Sequence, residues 1–274
     1  MVSELSENTK LRIGAVSYLN AKPLVFQPKD LATHTDLVLD LPSRLADGLA
    51  QGKLDVALVP SIECFQHPEY SIVSDACIAC CGPVMSVKLL SRVPIHQIRS
   101  LALDEGSRTS AVLARTLLYQ MYRLMPSLET LPIRGRLDET DADAVLLIGD
   151  RAIHPPADGF VERWDLGERW SEWLGLPFVF ALWVARRGVD VERVEPALRA
   201  ARDAGVANLE EIARAEAAKV GLDVQQCLSY LRDNLHFSLG AQEQRGLNTF
   251  HRLATELGIV PPNLGPENIG LTTP

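Results

Sequence analysis

Short apolar runs alternate along this chain with segments whose apolar residues recur at helical spacing. Leu11 to Val16 follows a polar start and ends at Ser17 and Asn20, residue types that favour turns and helix caps, which predicts strand, loop, helix. Leu37 to Leu41 predicts a second strand. Pro42-Ser43 then opens a helix in which Leu45, Ala46, Leu49 and Ala50 share a face until Gly52 closes it. Asp55 to Pro60 is the next strand, and Ser71 to Ala79 and Val84 to Ser91 are two more, separated by the turn signal Gly82-Pro83. The pattern then restarts with a strand at Leu101 to Asp104. Ser107 to Ser110 lead into a helix whose stripe is Leu113, Leu117, Met121 and Leu124, and strands follow at Ala144 to Ile148 and Phe178 to Ala185. From Val191 to Gly258 the spacing predicts three helices with no strand between them, one opened by Asn208 with Glu211 three residues on, the capping-box spacing.

Alternating strands and helices, with strands apolar on both faces, predict an α/β fold of mostly parallel sheets flanked by helices. The restart and the strand-free C-terminal part predict two lobes. The first is discontinuous, residues 1–88 plus 185–274, with the C-terminal helices packed back on it; the second is residues 89–184. The chain crosses between them near Lys88 and near Val184, over a cleft between the lobes. Asn263 to Pro274 is a Pro/Gly-rich tail, expected to be loosely held.

Of 274 residues, 47% are hydrophobic, enough to build a sizeable core at this length. The net charge of -8 argues against nucleic acid, whose binders present a basic face, so any anion site must be local. Met1 to Lys10 hold no apolar core of a signal sequence and no later run is long enough to span a bilayer, which predicts a cytoplasmic protein with no membrane partner. Five cysteines are an odd number. Cys77, Cys80 and Cys81 lie in an apolar stretch without a second Cys or His pair at ligand spacing, so they read as small buried hydrophobes, not a metal site, and Cys64 and Cys227 stand alone.

In open α/β sheets, ligands bind beyond the carboxyl ends of the strands. The residues found there form a consistent polar set: Ser17 and Asn20 after the first strand, Ser61 after Pro60, Ser107 to Ser110 after Asp104, and Gly149-Asp150 after Ile148. Hydroxyls at a helix start, with its unpaired N–H groups and positive dipole end, make an anion site without net positive charge, and Thr109 and Ser110 are the best example. Capping alone explains any one of these residues; their joint placement at several strand ends points to a ligand. Arg44, Arg108 and Lys22 are cations near these loops, the six histidines are scattered, and Trp164, Trp170, Trp173 and Trp183 read as core filler. No Gly-rich dinucleotide loop, phosphate loop, metalloprotease His pair or nucleophile elbow is present. The residues by themselves support a two-lobed binder of a small, polar, anionic molecule.

The segment Arg12-Ile13-Gly14-Ala15-Val16-Ser17-Tyr18-Leu19-Asn20-Ala21-Lys22-Pro23-Leu24 closely resembles the opening of the chorismate dehydratases. Asp55 to Glu63, Ser107-Arg108-Thr109-Ser110 and Leu147 to Ala152 agree with that family as well, and the likeness runs from Arg12 to about Gly258. The resemblance implies a two-lobed type II periplasmic-binding-protein-like fold. It also implies a lyase that dehydrates chorismate, a small dicarboxylate, to 3-[(1-carboxyvinyl)oxy]benzoate in the futalosine route of menaquinone biosynthesis, with no cofactor. The positions matching Asn20 and Ser86 carry catalysis in that family. Ser17, Ser61, Ser107, Arg108, Thr109 and Ser110 are the expected carboxylate-binding set, with Gly149 and Asp150 beside them. Two rivals stay open: 1,4-dihydroxy-6-naphthoate synthase of the same pathway, and a non-catalytic module that closes on an anion.

Overall fold

A computed structural model describes residues 10–27, 35–192 and 194–262. The tail from Asn263 and the first nine residues lie outside them. Among the described residues eleven strands form two sheets. The first, of six strands, runs β11 (His236–Ser238), β4 (Ser71–Cys80), β10 (Phe178–Ala185), β3 (Val56–Pro60), β1 (Leu11–Val16), β2 (Thr35–Asp40). The second, of five, runs β7 (Ser127–Leu131), β6 (Ser100–Asp104), β8 (Ala144–Ile148), β5 (Val87–Ser91), β9 (Glu162–Asp165).

The α/β class agrees with the sequence pattern, but the sheets are mixed, not mostly parallel. β1 is parallel to β2 and β3, and β6 to β7 and β8, whereas β10 runs antiparallel to β3 and β4, and β5 to β8 and β9. Apolar runs show that a strand is buried on both faces; they carry no information on its direction. Three strands were missed for a related reason. β7 is exposed at four of its five positions, β9 is four residues long, and β11 is three residues long and interrupts the C-terminal helices where no strand was expected.

The chain leaves the first sheet after Cys80 and enters the second at Val87; it leaves the second after Asp165 and rejoins the first at Phe178. Lys88 and Val184, expected near the crossings, therefore lie inside strands of the second and first sheets respectively. The described part of the C-terminal region holds four α-helices, Glu195–Ala207, Leu209–Glu216, Val224–Ser229 and Ala241–Glu256, with a π-helical turn at Tyr230–Asn234. Asn208 does not form the expected capping box: its side-chain amide donates back to Ala204 O at 2.8 Å, ending the preceding helix instead of starting the next.

One apolar core runs through both sheets, from Ile13, Val56 and Leu182 to Leu89, Leu101 and Leu117. Trp170, Phe178 and Phe250 meet edge to face at its centre, with centroids 4.8–6.1 Å apart, so the last helix seals the back of the molecule against the second crossing. A smaller cluster of Leu90, Ala102, Leu131, Val145 and Leu147 fills the other face of the second sheet. Trp164, Trp170 and Trp183 are buried as expected, while Trp173 reaches the surface. Among the described residues no helix is long and apolar enough to cross a membrane.

Two features lock the first sheet. Asp55, at the foot of β3, accepts from Arg12 Nε and Nη2 on β1 and from Arg186 Nη2 just past β10, at 2.6–3.1 Å. Burial alone would push the Asp55 carboxyl up, but these hydrogen bonds and charges hold it well below the usual range. At Gly205 the helix Glu195–Ala207 presses on the chain near Asn20, and an added Cβ would lie 1.9 Å from Pro23 O.

Because its folded-state pKa is depressed, Asp55 contributes stability that is present above its ordinary value of 3.8 and lost as pH falls. Asp55→Asn is expected to lower the urea midpoint at pH 7, and the gap to the parent should close as pH drops below that value. Gly205→Ala, a change that gains up to ~1 kcal/mol in an open helix, is expected here to cost about 2 kcal/mol by overpacking; a raised urea midpoint would contradict the close approach.

Candidate active site

Between the two sheets lies a cleft continuous with solvent. It sits at the carboxyl ends of β1, β3, β6 and β8, where sheet topology places ligands. Of the residues expected there, Asn20, Ser86, Ser107, Arg108, Thr109, Ser110 and Gly149 line it. Apolar walls come from Val16, Ile78, Val84, Ile148 and Phe180. A break in the β10–β4 register between Val179 and Ala181 lets the consecutive residues Phe180 and Ala181 both face the cleft.

The Asn20 side chain projects from a 3₁₀ turn, Leu19–Val25, that follows β1, and its Oδ1 is buried with no hydrogen-bond partner. A buried amide oxygen left unpaired costs about 1–3 kcal/mol, so a group of this kind on a cleft wall marks a place for a ligand donor. Ser86 arrives differently. It ends the first crossing, where Met85 takes a left-handed φ of 60° and Ser86 N–H donates to Val84 O at 2.7 Å, a strained three-residue turn. The Asp165 carboxylate holds this turn by accepting from Val84 N and Met85 N at 2.9 and 2.7 Å. Tyr230 Oη donates to Ser86 Oγ at 2.8 Å. Nothing in the sequence pattern pointed to Tyr230, which lies 144 residues further along the chain.

Opposite, the helix Thr109–Tyr122 starts at the cleft wall. Ser107 Oγ accepts from Ala111 N at 3.2 Å, while the first-turn N–H groups of Thr109 and Ser110 have no preceding helical carbonyl to meet. The nearby cations are engaged elsewhere. Lys22 faces Glu216, Arg44 faces Asp40, and Arg151 faces the buried Asp104. What this wall of the cleft presents is therefore hydroxyls and N–H dipoles.

Several residues of the expected set instead join the two sheets to each other. Arg108 lines the cleft, but its guanidinium reaches across to Glu63 Oε1 at 3.0 Å and Asp47 Oδ1 at 2.5 Å. Ser61, absent from the lining, donates to Val179 O and sits 3.4 Å from Thr109 Oγ1, which also accepts from Ile62 N at 3.2 Å. Asp150 accepts from Leu19 N at 3.0 Å, and burial raises its pKa. His154 Nε2 meets Val220 O at 2.9 Å. A carbonyl only accepts, so this fixes the proton on Nε2. Ser17 does not line the cleft; its N–H belongs to the sheet, donating to Asp40 O.

Tyr18 is a lining residue that the strand-end reasoning passed over, although it sits between Ser17 and Asn20. Its ring packs on Gly149, where φ is +64° and an added Cβ would lie 2.6 Å from the ring, so both backbone conformation and contact require glycine there. Burial, then the charges of Asp104 and Asp150, push the Tyr18 phenol well up and keep it a hydrogen-bond donor. Cys64, Cys77, Cys80 and Cys227 are buried, with burial raising the Cys64 thiol to about 12 and the Cys227 thiol to about 11. Cys81, expected to be buried, is exposed because it lies past the end of β4 in the crossing turn.

Two mixed sheets joined by two crossings, with a cleft at their strand ends, define the class of two-sheet cleft proteins to which periplasmic binding proteins belong. A Candida albicans gene product described as having the generic periplasmic-binding-protein fold aligns over 95% of this chain and 94% of its own, at 10% identity and a TM-score of 0.63. A protein from Archaeoglobus fulgidus aligns over 93% of this chain and 100% of its own, at 18% identity and a TM-score of 0.71. The chain belongs to the family described as "Menaquinone biosynthesis", whose model matches residues 11–256. It is also 32% identical over 229 residues to a chorismate dehydratase from Thermus thermophilus, covering 77% of this chain and 83% of that protein.

If Arg108 acts chiefly as a tie to Glu63, then Arg108→Met and Glu63→Gln should each lower stability by about 1–3 kcal/mol, since Glu63 is buried and Arg108 half-buried. The double variant should lose less than the sum of the two in urea unfolding; strictly additive losses would count against the tie.

Proposed function

We propose that this protein is a lyase that converts chorismate to 3-[(1-carboxyvinyl)oxy]benzoate and water, an early step of the futalosine route to menaquinone, and that it works in the cytoplasm. The observation that carries the reading is the meeting of Asn20, Ser86 and the Ser107–Ser110 helix start on one cleft, in a chain of the menaquinone biosynthesis family. The Thermus thermophilus relative supplies the reaction.

The chemistry demands orientation more than strong acids or bases. In chorismate the proton on the ether-bearing ring carbon is acidified by conjugation to the ring carboxylate. Its C–H bond breaks, the electron pair moves into the ring, the neighbouring C–O bond breaks, and the departing hydroxyl gains a proton to leave as water. The ring becomes aromatic. We assign the ring carboxylate to the helix start, where the Ser107, Thr109 and Ser110 hydroxyls and first-turn N–H groups stabilise charge that builds during the reaction. The enolpyruvyl carboxylate of the substrate takes the ring proton, held over the ring by the Asn20 amide, whose nitrogen donates to a carboxylate and whose unpaired oxygen accepts from a hydroxyl. Ser86 donates a hydrogen bond to the departing oxygen, which leaves as water with the proton that the enolpyruvyl carboxylate took from the ring. This explains how a cleft lined by neither a histidine nor a carboxylate side chain runs a dehydration.

In this reading residues 81–86 and 166–177 join two lobes that open for substrate and close through the Arg108, Thr109 and Asp150 contacts, excluding water. Gly149 leaves room for Tyr18 as the lobes meet.

Purified protein incubated with chorismate should bleach the diene absorbance and yield the aromatic ether. Asn20→Ala and Ser86→Ala are each expected to lower kcat by about 100-fold or more; the thermal midpoint of Asn20→Ala should stay close to the parent, and that of Ser86→Ala should fall by several degrees because the buried Tyr230 hydroxyl loses its partner. Binding of chorismate without conversion would favour the anion-binding module, and conversion only of a later pathway intermediate would favour the naphthoate synthase.

A further inference from the structure

The first crossing carries a cleft hydroxyl on a strained turn, and it is held from both sides. From the end of β9, Asp165 accepts from Val84 N and Met85 N, and from the second crossing Ser171 Oγ accepts from Gly82 N at 2.8 Å. From the C-terminal region, a π-helical turn contributes both of its ends: Tyr230 Oη donates to Ser86 Oγ, and Asn234 Nδ2 donates to Pro83 O at 2.8 Å. π-turns are rare and concentrate at functional sites, because the extra residue per turn re-aims side chains that a regular helix would point elsewhere. Tyr230 is 1% exposed, and so is Ser86.

We infer that Tyr230 is a positioning residue for the reaction, orienting the Ser86 hydroxyl so that its proton points into the cleft. The inference rests on the assignment of Ser86 to the departing hydroxyl. A serine hydroxyl rotates freely and has one proton and two lone pairs. The phenol proton of Tyr230 occupies one lone pair, and of the remaining directions the cleft is where a substrate oxygen can accept. Donation to Ser86 Oγ also polarises the Ser86 O–H, strengthening the bond that it makes in turn. Burial pushes the Tyr230 phenol well above its ordinary value, so it stays a donor throughout the working pH range. Without the phenol hydroxyl, Ser86 is free to turn its proton away.

The test is a double-mutant cycle on chorismate turnover with the full chain. Tyr230→Phe keeps the ring and removes one hydrogen bond. It is expected to lower kcat about tenfold, the scale of one buried hydrogen bond, with KM changed less than about twofold. In a Ser86→Ala background the same change should alter kcat by less than about twofold, because the group that it orients is gone. A merely structural Tyr230 would give losses that multiply; that result, or a Tyr230→Phe enzyme with parental kcat, overturns the inference and leaves the dehydratase reading standing. A parent that does not convert chorismate, or a Ser86→Ala enzyme with full activity, overturns the dehydratase reading and this inference with it. Should Tyr230→Phe fail to fold, a ring-fluorinated tyrosine at position 230 keeps the shape and strengthens the donor: a shifted kcat supports the inference, and an unchanged one overturns it.

Discussion

Two sheets can share one cleft only if the chain passes between them without leaving buried N–H or C=O groups unpaired, and the passage 81–86 meets that demand with side chains from three other segments. Asp165, Ser171 and Asn234 pair its backbone, and Tyr230 pairs the hydroxyl that it delivers. These bonds allow Met85 to sit at a left-handed φ, a conformation that costs about 1–3 kcal/mol for a residue with a Cβ. The strain has a product: Ser86 faces the cleft instead of continuing the line of β4.

The same crossings explain why the core is continuous. β10 returns between β3 and β4, so the second passage ends in the middle of the first sheet, and Trp170 and Phe178 carry its packing onto the last helix. On the cleft side the two sheets are also tied by polar contacts. The links from Arg108 to Glu63, from Ile62 to Thr109 and from Leu19 to Asp150 are hydrogen bonds and ion pairs, and Glu63, Ile62, Thr109 and Leu19 are buried.

The division of labour at the cleft follows. Cations near it are spent on carboxylates of the protein, and what remains for an anionic ligand is the neutral set: amide, hydroxyls, phenol and helix N–H groups. Such a set can bind a dicarboxylate in a chain of net charge -8 and can release it again. It also suits a reaction in which charge moves within the substrate and is stabilised by fixed dipoles.

Much of this was legible in the order of residues. Eight of the strands, the helix start at Ser107 to Ser110, and the placement of Asn20, Thr109 and Gly149 at strand ends follow from local periodicity and turn chemistry, because a strand end is a local event. The direction of β10, the short edge strand β11, the crossing positions and the pairing of Tyr230 with Ser86 were decided only by tertiary structure. The reason is the same in each case. Strand direction and partner choice depend on which surfaces come together across more than a hundred residues, and neither an apolar run nor a buried tyrosine carries a mark of the neighbour that it will meet. Arg108 shows the limit most plainly: the resemblance put it in a carboxylate-binding set for a ligand, and the fold supplies Glu63 and Asp47 as carboxylates that it holds.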